Sequence, residues 1–118
     1  MINLEEKYLQ YAQSVLKKDV PHYAVWLFGS RTTDTIKPYS DIDLVIITDE
    51  PVSLAILSMM ALEFAESDLP YKVDLVDWSQ LDDDFKKIIL NRYHEIQVAA
   101  DWFVWDCAQA VALAMCEN

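Results

Sequence analysis

Two aspartates, Asp41 and Asp43, open the most apolar stretch of the chain, DIDLVIIT. Side chains alternate along a strand, so both carboxylates project to one face about 6 to 7 Å apart, with Ile42 and Leu44 pointing to the other. Like charges placed this way repel, and each carboxylate costs free energy to desolvate unless something positive lies between them. A hard divalent cation meets that need, because Mg²⁺ takes oxygen ligands, typically one or two carboxylates with substrate phosphates completing its shell. Asp74, in the middle of the apolar run VDLV, is a third acid. If its strand lies beside that of Asp41 and Asp43, three carboxylates converge. Taken alone, the pair fits equally a strand-opening cap at Asp41 and a solvated edge residue at Asp43.

Gly29-Ser30 precedes the acidic pair by eleven positions, counted from Ser30 to Asp41. Gly29 is the sole glycine of the chain, where average usage gives about eight. The backbone there needs either a positive φ or close approach by another group. A strand that turns sharply into a short helix presents backbone N–H groups and the positive end of a dipole to a phosphate, and Ser30 adds a hydroxyl. Arg31 follows directly and can neutralise phosphate charge as a bidentate donor. A phosphate cradle and an acidic metal pair are two halves of a nucleotide site.

The elements that must position these residues are legible in outline. Leu4, Tyr8, Tyr11, Ala12, Val15 and Leu16 recur at helical spacing, and Pro21 stops that helix beyond Lys17-Lys18. Ala24 to Phe28 reads as a buried strand ending at Gly29, with a short helix able to start at Ser30. Asp41 to Thr48 is continuous and β-branched, the pattern of a strand covered on both faces. Pro51 and Ser53 open a helix through about Ser67, and Tyr71 to Asp77 alternates as a third strand. Ser79-x-x-Asp82 resembles a cap before a last helix with Phe85, Ile88, Ile89, Arg92 and Ile96 on one stripe. Trp78, Phe85, Met59 and Met60 are expected in the core. The order helix, strand, strand, helix, strand, helix predicts a small α/β (α+β) domain with a mixed sheet.

Composition narrows the function further. A length of 118 residues predicts a single domain over 1–118, with no second, acceptor-binding domain. Hydrophobic residues at 53% mark a globular chain. The net charge of −11 opposes nucleic-acid backbones and anionic lipid surfaces. Locally, bound Mg²⁺ together with Arg31 and Lys37 offsets that field against a nucleotide. Cys107 and Cys116 fit neither a disulfide framework nor a metal finger. With no secretory leader pattern at Met1 to Gln10, a reduced, cytoplasmic protein is expected. His22 and His94 lack ligand partners at metal spacing, so structural roles are expected. Asp82, Asp83 and Asp84 suit a helix N-terminus. The tail, about 99–116, is apolar all round and too interrupted for a membrane span. It is expected as a helix buried in a homodimer or against a partner.

Gly29-Ser30, ten intervening residues, Asp41-Ile42-Asp43 and a lone Asp74 in a later strand resemble the signature of the DNA polymerase β-like nucleotidyltransferase superfamily, of the minimal (MNT) type. The wider text LFGSR, YSDIDLVI and KVDLVDW is similar to that family over roughly residues 22–97. The resemblance implies a mixed sheet flanked by helices. It assigns Asp41, Asp43 and Asp74 to catalysis and to Mg²⁺, two ions being usual, and Ser30 to the β- and γ-phosphates. It further implies transfer of a nucleoside monophosphate, AMP from ATP or the equivalent from another triphosphate, with pyrophosphate leaving. Small members resemble the antitoxin halves of two-protein modules whose partner is a helical HEPN-domain protein, some modified with AMP on a tyrosine. With no acceptor domain in 118 residues, the acceptor is expected from a partner. Two competing expectations are a silent module that neutralises its partner by contact, and a small-molecule transferase with its pocket across a homodimer.

Overall fold

A computed structural model describes residues 4–32 and 40–99, and the Ser30 side chain is not among what it describes. The order is α1 (Glu6–Asp19), β1 (Ala24–Phe28), a 3₁₀ turn (Gly29–Thr32), β2 (Ile42–Ile47), α2 (Leu54–Ala65), β3 (Val73–Asp77), a second 3₁₀ turn (Trp78–Gln80), α3 (Asp83–Asn91) and β4 (Tyr93–Gln97). The four strands form one sheet in the order β3-β2-β1-β4. β1 runs antiparallel to β2 and β4, and β2 runs parallel to β3, the two joined by the crossover through α2. The sheet is therefore mixed, with helices on both faces, as the sequence predicts.

Alternation sorts the strands into two faces. Val25, Leu27, Ile42, Leu44 and Ile46 point to one side and are buried with Leu16, Val20 and Met60 beneath α1 and α2. Trp26, Phe28, Val45, Ile47 and Val76 point to the other, where Ile89 of α3 and Trp78 meet them. This division accounts for the unbroken apolar text of β2, which is buried on both faces. α1 carries Glu6 in its first turn and Lys17 and Lys18 in its last, each complementing the helix dipole.

The last helix differs from the expected one. The sequence stripe runs to Ile96, but the chain leaves the helix at Arg92, whose φ of −160° and ψ of 114° are extended, and Tyr93–Gln97 forms a fourth strand. β1 would otherwise present a bare edge of N–H and C=O groups, and β4 pairs with them. Side-chain amides fasten the new strand. Gln97 Nε2 donates to the Val20 and Tyr23 carbonyls at 2.8 and 2.9 Å, and Gln13 Nε2 to the Ile96 carbonyl at 3.0 Å. Ile96 is buried as expected, but from a strand. The helix cap is Asp82, whose Oδ1 accepts from Phe85 N at 2.8 Å, and Ser79 belongs to the preceding turn. Met60 is core, whereas Met59 and Phe85 are 49% and 39% exposed, although the Phe85 ring still packs edge-on against Phe28 with centroids 6.0 Å apart. Among the described residues no helix is long and apolar enough to cross a membrane. Lys37, Cys107, Cys116 and all but the first residue of the 99–116 tail lie outside the described residues.

Candidate active site

The acids stand where the parallel strands begin. Asp43 of β2 is in register with Asp74 of β3 on one side and with Phe28 of β1 on the other, and Phe28 with Tyr93 of β4. Residues directly opposite share a face, so Asp74, Asp43, Phe28 and Tyr93 form a row across the sheet, on the face away from α1 and α2. Asp41 lies one residue before β2, where the Ile42 N–H donates to the Lys72 carbonyl at 2.8 Å and ties the two strand starts together. The three carboxylates that the sequence singles out are thus brought to one end of the sheet.

Their electrostatics follow from that crowding. Asp43 is half-buried, and its carboxyl is pushed up to about 6, first by burial, then by the charge of Asp74, then by that of Asp41. Lys72 Nζ lies 3.5 Å from Asp74 Oδ1, but the lysine is largely in solvent and Asp74 partly so, and this ion pair therefore relieves little of the repulsion. Among the described residues no group of three or more His, Cys, Asp or Glu side chains forms a ready metal cage. An open site suits Mg²⁺, which keeps waters and takes substrate phosphates beside one or two carboxylates. A crowded, oxygen-only donor set with a partly desolvated acid at its centre fits that ion.

Gly29 meets both conditions that its isolation in the sequence suggests. Its φ is +80°, and a Cβ added there would land on Asp43 Oδ2 and 3.2 Å from Asp43 Cγ. Only glycine lets the turn pass beneath the carboxylate. Thr32 Oγ1 donates to the Gly29 carbonyl at 2.6 Å and closes the turn, whose second residue is Ser30. Arg31, expected to reach phosphate, is only 3% exposed. Its Nη2 donates to the Ser40 carbonyl at 2.9 Å, and its guanidinium lies 4.0 Å from the centroid of the Tyr71 ring.

Three participants escape sequence reasoning. Tyr71 and Ser40 meet Arg31 across forty and nine positions of chain, with no local pattern to announce it. Asp77 is buried at the end of β3, where Oδ2 accepts from Val52 N at 2.7 Å and Oδ1 from Ser79 N and Oγ at 2.9 and 2.7 Å. It pins the approach to α2, and its signal was the Asp-x-Ser spacing of an Asx turn. His94 is in register with Leu27, on the side of the sheet covered by α1 and α2 and away from the acids' row. A cavity of about 340 Å³ lined by Tyr8, Tyr11, Glu66 and Leu69, among others, shares no residue with the acidic site.

The model of the nucleotidyltransferase domain family matches residues 9–96. The Haemophilus influenzae protein named "Probable protein adenylyltransferase MntA" is 41% identical over 96 residues, covering 81% of this chain and 84% of that protein. In fold, the chain is similar to a toxin-antitoxin crystal structure with AMP-PNP, at TM-score 0.64 and 22% identity, covering 75% of this chain and 71% of that one. It is also similar to a structure of the tri-AMPylated Shewanella oneidensis HEPN toxin in complex with MNT antitoxin, at TM-score 0.55 and 22% identity, with coverage of 75% and 71%. The fold, the convergent acids and a match spanning most of the chain lead to one assignment: this protein belongs to the nucleotidyltransferase domain family.

Proposed function

We propose that this protein transfers AMP from ATP onto a hydroxyl of a partner protein, and that it serves as the antitoxin of a HEPN/MNT toxin-antitoxin pair in the cytoplasm. The observation that carries the chemistry is the register of Asp43 with Asp74 above the Gly29 turn. The partner and the nucleotide rest on similarity, to a relative named as a protein adenylyltransferase and, in fold, to complexes with AMP-PNP and with an AMPylated HEPN toxin.

In this reading the turn at Gly29 and Ser30 receives the β- and γ-phosphates, and Asp41 and Asp43 face the α-phosphate. Asp41, Asp43 and Asp74 would hold Mg²⁺, which would supply charge neutralisation to the transfer. The acceptor oxygen forms a bond to the α-phosphorus while the bond from that phosphorus to the bridging oxygen breaks and pyrophosphate leaves. Asp74 takes the acceptor proton. The Asp43 carboxyl must be ionised for this role; raised to about 6, it is mostly charged at neutral pH, and a nearby cation would hold it charged at lower pH as well.

The test is incubation of the protein with labelled ATP, Mg²⁺ and a purified HEPN partner, followed by intact mass. One or more added AMP masses on the partner are expected, and little transfer to free small alcohols. Robust labelling of an aminoglycoside with no protein modified would overturn the proposal.

A further inference from the structure

Arg31 carries charge next to a nucleotide site and yet is almost wholly buried. Arginine is rarely buried unless its donors are engaged, and here the engagement has a direction. The side chain leaves the Gly29–Thr32 turn, donates to the carbonyl of Ser40 and stacks on Tyr71. Ser40 immediately precedes Asp41. Tyr71 immediately precedes Lys72, whose carbonyl receives the Ile42 N–H and whose ammonium faces Asp74. The Tyr71 ring is itself held edge-on by Tyr8 of α1, with centroids 5.7 Å apart and planes at 89°. One guanidinium therefore joins the three backbone segments on which Gly29, the Asp41-Asp43 pair and Asp74 stand.

We propose that Arg31 is a positioning residue for the three carboxylates, acting through Ser40 and Tyr71, and not a ligand of the phosphates. The proposal rests on the nucleotidyltransferase reading above. A planar fork that donates to a carbonyl while its central carbon sits over a ring is a task for arginine, and lysine cannot replace it. The two roles differ in sign. Removing a nearby cation strengthens cation binding by Coulomb's law, whereas loosening a group that orients metal ligands weakens it, commonly by about tenfold or more.

The experiment is titration of Mn²⁺ alone, followed by the signal of the free ion, into the full chain and the variants Arg31→Gln, Arg31→Lys, Tyr71→Leu and Tyr71→Phe. A parallel titration uses a non-hydrolysable ATP analogue with Mn²⁺. Melting curves establish a temperature at which each variant is folded. Positioning predicts that Arg31→Gln and Tyr71→Leu each weaken Mn²⁺ binding about tenfold, that Tyr71→Phe stays near wild type, and that Arg31→Lys does not recover the loss. If Arg31→Gln fails to fold, Tyr71→Leu, which alters a half-buried ring, decides the matter. Unchanged or tighter Mn²⁺ binding in Arg31→Gln, with nucleotide affinity lost and then recovered by Arg31→Lys, would overturn the proposal in favour of a phosphate ligand. Wild-type protein that binds neither Mn²⁺ nor nucleotide refutes the underlying site and this inference together. Binding without transfer refutes only the transfer reading, and the variants still decide the role of Arg31.

Discussion

Replacing Asp43 by asparagine should stabilise the protein in chelator and destabilise it with ligand. The Asp43 carboxyl is raised from its ordinary 3.8 to about 6 by burial and by two like charges. That rise of about two units corresponds to ~3 kcal/mol at 1.36 kcal/mol per unit. Asp43 is only half-buried, so screening by solvent reduces this to about 1 to 2 kcal/mol. The sign follows from a folded value above the unfolded one. The protonated acid is fully accommodated below about pH 4, and stability is lost as pH rises through about 6, where the native state must ionise it. Asparagine has no such loss, so Asp43→Asn should melt about 5 to 10 °C above wild type at pH 8 in chelator. The two curves should converge below about pH 4. Mg²⁺ with nucleotide should reverse the order, because wild type gains ~2.7 kcal/mol at a ligand concentration of a hundred times Kd and the variant does not. Thermal melts from pH 4 to 8, with and without ligand, measure all of this. A gap between the two proteins in chelator that does not change with pH would refute the crowding argument, whatever the activity.

Gly29→Ala should reduce transfer by about 10²-fold or more while costing about 1 to 3 kcal/mol of stability, since the added methyl must displace the Asp43 carboxylate and occupy a positive φ; kinetics beside a denaturant melt, at a temperature where the variant is folded, separate the two effects. Asp41→Asn, Asp43→Asn and Asp74→Asn should each lower transfer by roughly 10²-fold, and the double variant Asp41→Asn with Asp43→Asn should be little worse than either alone, as for groups acting as a unit. Additive losses in single-turnover assays would argue against a shared metal. Truncation after Gln97 removes no residue of the described core, so the domain should stay folded while association with itself or a partner weakens; light scattering that finds both unchanged would remove the tail from the interface.

Local chemistry made much of the site readable. Strands β1 to β3 announced themselves because burial on one or both faces writes period two or continuous β-branched runs into the text. The convergence of Asp74 on the pair needed one assumption, adjacency of β2 and β3, which the right length of crossover through α2 makes natural. β4 was hidden by its own brevity. Five residues, YHEIQ, with two apolar positions three apart, continue a helical stripe as well as they form a strand, and only the edge of β1 decides between them. The clamp at Arg31 was hidden by distance along the chain. Nothing local to Arg31 or Tyr71 states that they meet, and a cation beside a phosphate cradle reads naturally as a phosphate ligand.

Among the described residues β3 has a strand partner on one side only, so the third acid rides at the margin of the sheet. Marginal strands open first, at free energies well below that of complete unfolding. Asp74 can therefore part from Asp43 while the helices and the β1–β2 hairpin stay intact. Heat inactivation should precede the main melting transition, and amide exchange in Val73–Asp77 should outpace that in Ile42–Ile47. Whatever braces that margin, whether a bound nucleotide or a neighbouring protein, would raise activity without touching a reacting atom.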